Sequence, residues 1–313
     1  MKRSHYLGLY VIIAIAALLP FVLPNDFYRD LATRMALNAV IVLGLNLLVG
    51  YAGQVSLGHA GFVGIGAYAT GILTSQFGWN GVVAMGAGAC LAGIIALVAA
   101  RPIFALKGNY LAMATLGLGI IISMILANEN KITGGPDGMP VPELVLFGIR
   151  CAGASTWYWV VMVVLVLSIW ASLNLIDSPF GRALRALHGS EIAAQVVGVD
   201  IGRYKLAIFV LAAAYASLMG SLTAHYVGYI SPDIAGFQHS IELVTMVVVG
   251  GMASVYGSVV GAVLLTMLPQ ALTAFEGWDT AVTGLVLMLT MIFLPRGLVP
   301  SLAQRLAKLR RGG

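Results

Sequence analysis

The sequence predicts an all-α integral membrane protein of about ten transmembrane helices, some of them broken by glycine. Three observations carry this: an apolar composition, a series of segments long enough to span a bilayer, and a lopsided distribution of basic residues. Of 313 residues, 60% are hydrophobic and only 9% are charged. A soluble domain carries roughly a quarter charged residues, because its surface must face water. The 38 glycines suit helices that pack closely in lipid and are interrupted within it.

A spanning helix needs about 20 mostly apolar residues. Such segments lie near 6–23, 35–52, 59–77, 81–100, 110–127, 158–175, 205–223, 241–256, 258–275 and 280–295. A count between about eight and eleven is compatible with them, since 59–77 and 241–275 are glycine-rich and hard to delimit. The run after Met1-Lys2-Arg3 resembles a signal peptide. No small-residue cleavage site precedes Phe21-Val22-Leu23-Pro24, so it reads as a first span.

The basic residues then orient the chain. With the N-terminus inside and ten spans, the inner segments hold Lys2, Arg3, Arg101, Lys107, Arg182, Arg185, Arg203, Lys205, Arg296, Arg305, Lys308, Arg310 and Arg311. The outer segments hold only Arg29, Arg34, Lys131 and Arg150. That is the positive-inside bias, and it puts both termini in the cytoplasm, with the basic tail 296–313 against the inner headgroups. The net charge of +5 is accounted for by this topology rather than by a nucleic-acid-binding face.

Between the spans, 128–157 is rich in Gly, Pro, Asn and Asp and reads as a long external loop. The large internal loop, 176–204, is different. Ser178-Pro179 opens a helix carrying Arg182 and Arg185 and ending at Gly189; Ser190 caps a second short helix with Glu191 in its first turn and Gly198 at its end. Two capped helices are more than a connector requires.

Two segments do not read as plain spans. Leu47-Leu48-Val49-Gly50-Tyr51-Ala52-Gly53-Gln54-Val55-Ser56-Leu57-Gly58-His59 and Val249-Gly250-Gly251-Met252-Ala253-Ser254 each run from an apolar helix through glycines into small and hydroxyl residues. Paired interruptions in two halves of a chain mark transport pathways; tight turns between packed helices are the plainer explanation. The candidate pathway residues are Asn46, Gln54, Ser56, His59, Glu242, Gly250 and Gly251, polar groups or glycines in or beside spans. Asn38, Asn109 and Gln270 are further polar residues in spans that hydrogen bonding between helices explains equally well.

Enzymatic chemistry finds no support. There is no phosphate loop, no HExxH, and no Cys/His spacing for a metal. Cys90 and Cys151 stand alone as small apolar residues. Ser56 and His59 lack an orienting acid nearby in sequence. Gly64 and Gly66 lie inside a span and signal helix packing.

The stretch Leu45-Asn46-Leu47-Leu48-Val49-Gly50-Tyr51-Ala52-Gly53-Gln54-Val55-Ser56-Leu57-Gly58-His59-Ala60-Gly61-Phe62 resembles the signature of ABC-type branched-chain amino acid permeases of the M type. So do Phe180-Gly181-Arg182-Ala183-Leu184-Arg185-Ala186-Leu187, Glu191-Ile192-Ala193-Ala194, Tyr204-Lys205-Leu206, Ser240-Ile241-Glu242-Leu243 and Gly257-Ser258-Val259-Val260-Gly261-Ala262, in order across 31–298. His188-Gly189-Ser190 departs from the more charged stretch in many relatives. The resemblance implies a single permease domain over 1–313. It implies pairing with a second homologous permease, two cytoplasmic ATPase subunits and an extracytoplasmic amino-acid-binding protein. ATP and Mg²⁺ would be used by the partner subunits, with no cofactor in this chain. It also implies that Ser190, Glu191, Ile192, Ala193, Ala194, Val197 and Gly198 couple to an ATPase, Glu191 meeting its surface and Ile192 and Val197 filling an apolar slot. The expected cargo is leucine, isoleucine or valine, with urea, other amides or other amino acids as the alternative. A carrier driven by an ion gradient is disfavoured, since the spans hold no spread of buried Asp, Glu and Lys.

Overall fold

The computed structural model describes residues 2–22, 25–106, 108–146 and 148–271, together with 282, 284–285, 288–289, 292–293 and 297–302. The helices are α1 (Lys2–Val22), α2 (Asp26–Asn46), α3 (His59–Ser75), α4 (Gly81–Phe104), α5 (Asn109–Asn128), the single turn α6 (Asn130–Thr133), α7 (Ala154–Asp177), α8 (Pro179–Gly189), α9 (Glu191–Val196), α10 (Ile201–Val227), α11 (Phe237–Gly250) and α12 (Val255–Ala271). Four two-residue strands, β1 (Met139–Pro140), β2 (Val145–Leu146), β3 (Ile149–Arg150) and β4 (Tyr229–Ile230), lie in loops.

Among the described residues, five helices are long and apolar enough to cross a membrane: α2 with the turn that follows it, α4, α5, α7 and α10. Shorter apolar stretches occupy residues 7–20, α11 and most of α12. Each expected span falls on a helix as far as residue 271, where the described part of α12 ends. The expectation at 280–295 lies largely outside the described residues, and the basic tail at 305–311 wholly so. Two boundaries differ most: α2 begins at Asp26 rather than 35, and α11 stops at Gly250, not 256, because Gly251 (φ 123°) and Ala253 (φ 56°) turn the chain out of helical geometry.

The two ends of the bundle are distinct. At one end β1 pairs antiparallel with β4 and β2 with β3, so the loop 128–157 is bonded to the segment after α10. At the other end, beyond the C-terminus of α7 and before the N-terminus of α10, lie α8 and α9.

The centre is α3, buried from His59 through Tyr68. A Cβ at Gly66 would strike the backbone of Ser217 on α10, and one at Gly220 would strike Val63 of α3. Small residues here allow backbone-to-backbone packing, which is how helices associate where lipid is as apolar as leucine. Thr70 donates to Ser221 (2.8 Å) and Ser221 to the Gly66 carbonyl (3.0 Å), tying the same pair of helices. The other flank of α3 fixes its depth. Gly58 lies against Thr115 and Gly119 of α5, Gly61 against Gly119 and Ile122, and Gly64 against Leu126. The start of α3 is therefore level with the middle of α5, a helix of membrane-spanning length.

Candidate functional site

The first broken segment begins where α2 loosens into one π turn over Leu47–Tyr51. A widened turn of this kind often marks a functional position in a helix. Gly53 (φ 68°) then ends helical geometry, and residues 53–58 run without helix or strand into α3. Burial alternates along this stretch, with Gln54 and Ser56 inward and Gly53 and Val55 outward. That is the period-two pattern of an extended chain. Its backbone is satisfied from neighbouring helices: Leu57 N donates to Thr115 Oγ1 (3.1 Å) and Ala60 N to Ser240 Oγ of α11 (3.1 Å). The seam around it is lined by Leu48, Phe104, Leu111, Thr115 and Phe209.

The side chains are another matter. Gln54, Ser56 and His59 are buried to 3%, 1% and 0% exposure. None of their polar side-chain atoms has a hydrogen-bond partner in the structure. A buried polar group without a partner costs about 1–3 kcal/mol, and native proteins seldom keep three together without a use for them.

The second broken segment is residues 251–254, between α11 and α12, and the structure brings it onto the first. Asn46, at the end of α2, donates to the Ser254 carbonyl (2.9 Å) and Ser258 Oγ (2.6 Å) and accepts from Ala253 N (3.0 Å). Gly50 packs on the backbone of Ala253, and Gly250 on that of Gly257. Two interruptions about 200 residues apart in sequence are thus joined by one amide.

Glu242 stands apart from this node. It lies on the flank of α11 opposite the buried Ser240, half-exposed, with His239 Nδ1 3.6 Å from its carboxylate. Of the expected pathway residues, Asn46, Gln54, Ser56, His59, Gly250 and Gly251 line the interior of the subunit, whereas Glu242 faces out of it.

At the α8–α9 end, Ser178, Ser190 and Asp200 cap α8, α9 and α10 by accepting from Gly181 N (3.3 Å), Ala193 N (3.3 Å) and Arg203 N (3.1 Å). Gly198 (φ 85°) makes the turn between α9 and α10. Ile192, Val196 and Val197 are 78%, 81% and 76% exposed, while Ala194 is 2% exposed and packs inward. Ala194, expected to meet a partner, packs inward in this structure, whereas Val196 shares the exposed face of Ile192 one turn on. Glu191 is engaged by Lys205 of α10 (2.6 Å). The last turn of α8 reaches the first broken segment, where a Cβ on Gly53 would come within 3.0 Å of His188 Nδ1. The end of α8 and the first broken segment are thus in contact.

The opposite end holds a feature that sequence reading missed. A cavity of about 410 Å³ is lined by Asp30, Arg34, Glu143, Trp157, His225 and Tyr226, among others. Arg34 bonds Asp30 (2.9 Å) and stands over the Tyr226 ring, whose hydroxyl donates to Asp30. Its residues come from four separate parts of the chain, so no local pattern announces it.

Comparison with known proteins accords with this arrangement. The family described as branched-chain amino acid transport system / permease component matches residues 27–295. The high-affinity branched-chain amino acid transport system permease protein LivM of Escherichia coli is 32% identical over the whole of this chain and 78% of its own length. LivM of Salmonella typhimurium is 33% identical with the same coverage. A more distant relative, the ribose import permease RbsC of Haemophilus influenzae, is 24% identical over 88% of this chain and 86% of its own. No solved structure matches the chain. On this evidence the chain belongs to the family of branched-chain amino acid transport permease components, and within it resembles the M-type subunit.

Proposed function

We propose that the chain is the membrane-spanning subunit of an ATP-driven importer of leucine, isoleucine and valine, working with a second, homologous permease. Two cytoplasmic ATPases supply the energy from ATP and Mg²⁺, and an extracytoplasmic binding protein delivers the amino acid. The chain sits in the cytoplasmic membrane with about ten spans. Its termini and the α8–α9 end are cytoplasmic, and the β-strand end faces outward. Family membership and the LivM relatives support the cargo. The basic residues Arg182, Arg185, Arg203 and Lys205 around α8 and α9 support the orientation.

The observation that carries the coupling role is α9 itself: a short capped helix presenting three large apolar side chains to solvent. Such a face is stable in water only when a partner covers it. A displacement of α9 passes to α10 through Glu191–Lys205, and to the first broken segment through the contact of His188 with Gly53. There the chain holds three buried polar side chains with no protein partner, which water or substrate would engage as the seam opens. ATP-driven movement at the docking helix is thereby linked to exposure of the interior.

The test is uptake of radiolabelled leucine by cells carrying Ile192→Asp/Val196→Asp. Both side chains are solvent-exposed, so insertion and abundance stay normal while uptake falls at least about tenfold and the ATPases no longer co-purify. Normal ATPase recovery from this variant would show that α9 is not the docking element. Restoration of urea uptake but not leucine uptake by the wild-type chain would keep the permease and change its cargo.

A further inference from the structure

The face that α11 turns outward is mixed: Phe237 and Ile241 are exposed on it, but beside them lie polar groups that lipid does not suit. Gln238 and Glu242 are exposed on it and His239 is partly so, whereas Ser240, Leu243 and Val247 are buried against the bundle. Its depth follows from the packing. Ala60 N donates to Ser240 Oγ, which sets α11 Ser240 beside the first turn of α3; that turn in turn lies level with Gly119, the middle of α5. Glu242 is two residues beyond Ser240. A carboxylate half-exposed at this level cannot be left in hydrocarbon, where ionisable side chains pair, face a water-filled cavity, or are absent. Its one ion-pair partner among the described residues is the imidazole of His239, 3.6 Å away, too long for a full charge-assisted hydrogen bond. Immediately behind, the fully buried His59 has both ring nitrogens unpartnered.

We propose that the strip Gln238–His239–Glu242 is this subunit's wall of the substrate path, and that the Glu242 carboxylate receives the α-ammonium group of the passing amino acid. The second permease closes the path from the other side. This rests on the importer reading above and adds to it the recognising group. The chemistry is complementary: a zwitterion entering a region of low dielectric needs an anion for its ammonium, and Glu242 supplies one that no lysine or arginine among the described residues already neutralises. Exposure on a flank rather than at the core lets the ligand leave again, as transport requires. The apolar faces of α4 and α5, with Ile94, Val98, Ile121 and Ile125 exposed, carry no such groups and suit lipid.

The assembled complex, in proteoliposomes and with Cys90→Ser to remove the exposed native thiol, tests this with single cysteines at 238, 242 and 121. A membrane-impermeant charged thiosulfonate should modify Gln238→Cys and Glu242→Cys at least about tenfold faster than Ile121→Cys, because only water-exposed thiols ionise and react. Saturating leucine should slow the modification of Gln238→Cys, which keeps the Glu242 carboxylate, at least about fivefold by occupying the strip. Glu242→Cys reacting no faster than Ile121→Cys would overturn the path assignment. Rapid reaction of Gln238→Cys without protection by leucine would overturn ammonium recognition, whatever the uptake result. Uptake is measured separately in Glu242→Asp and Glu242→Gln: the first should keep the leucine KM within about threefold, the second should raise it at least about tenfold. Equal KM values for the two would also count against the proposal. Since labelling is read without transport, loss of the importer reading and loss of this one are told apart.

Discussion

Replacing Asn46 with leucine, a side chain of the same γ-branched shape but larger, tests the junction between the two broken segments without opening a cavity. The change deletes two donated bonds and one accepted bond; Ala253 N loses its side-chain acceptor, while the Ser254 carbonyl still accepts from Ser258 N. Side-chain hydrogen bonds between membrane helices average about 0.6 kcal/mol. Three of them are then worth about 2 kcal/mol, or roughly thirtyfold in the unfolding equilibrium. Reversible unfolding of the purified chain in detergent with increasing SDS measures this directly. A cycle with Ser258→Ala isolates one bond, the 2.6 Å contact, and should show a coupling of about 0.6–1.7 kcal/mol. An unfolding constant within about twofold of wild type, with Asn46 and Ser258 effects additive to about 0.3 kcal/mol, would refute the reasoning.

Further expectations follow from the same geometry. Gln54→Leu removes two unpartnered buried polar atoms and should raise stability by about 1–3 kcal/mol while uptake falls at least about tenfold; lowered stability would mean that Gln54 is a structural bond-former. Gly66→Leu drives a side chain into the Ser217 backbone and should sharply reduce the chain recovered from membranes, read by immunoblot against wild type. Glu191→Lys should lower uptake, and adding Lys205→Glu should restore it to within about twofold, since the 2.6 Å pair works in either polarity.

The bilayer made much of the fold legible. Spanning helices are long apolar runs, and the caps Ser178, Ser190 and Asp200 act locally, so α7, α8, α9 and α10 sit where the residues place them. The breaks were visible too, because glycine adopts φ values such as those at Gly53 and Gly251 without steric cost. What joins the breaks was not visible. Asn46 finds Ala253 and Ser258 across more than 200 residues, and one polar residue in an apolar run does not say which helix it meets. The face a short helix presents is equally a tertiary matter: Ala194 turned inward and Val196 outward, although the i, i+4 spacing of Ile192 and Val196 was there to be used. Glu242 was found by its charge, but its outward direction depends on Ser240 holding the other flank of α11 to α3.

The most direct test of the central claim is radiolabelled leucine uptake in a strain lacking this chain, with and without the wild-type gene restored. Loss on deletion and full recovery on complementation, abolished by Ile192→Asp/Val196→Asp, is the predicted result. Leucine, isoleucine and valine uptake unchanged by deletion, in cells with no other route for them, would contradict it.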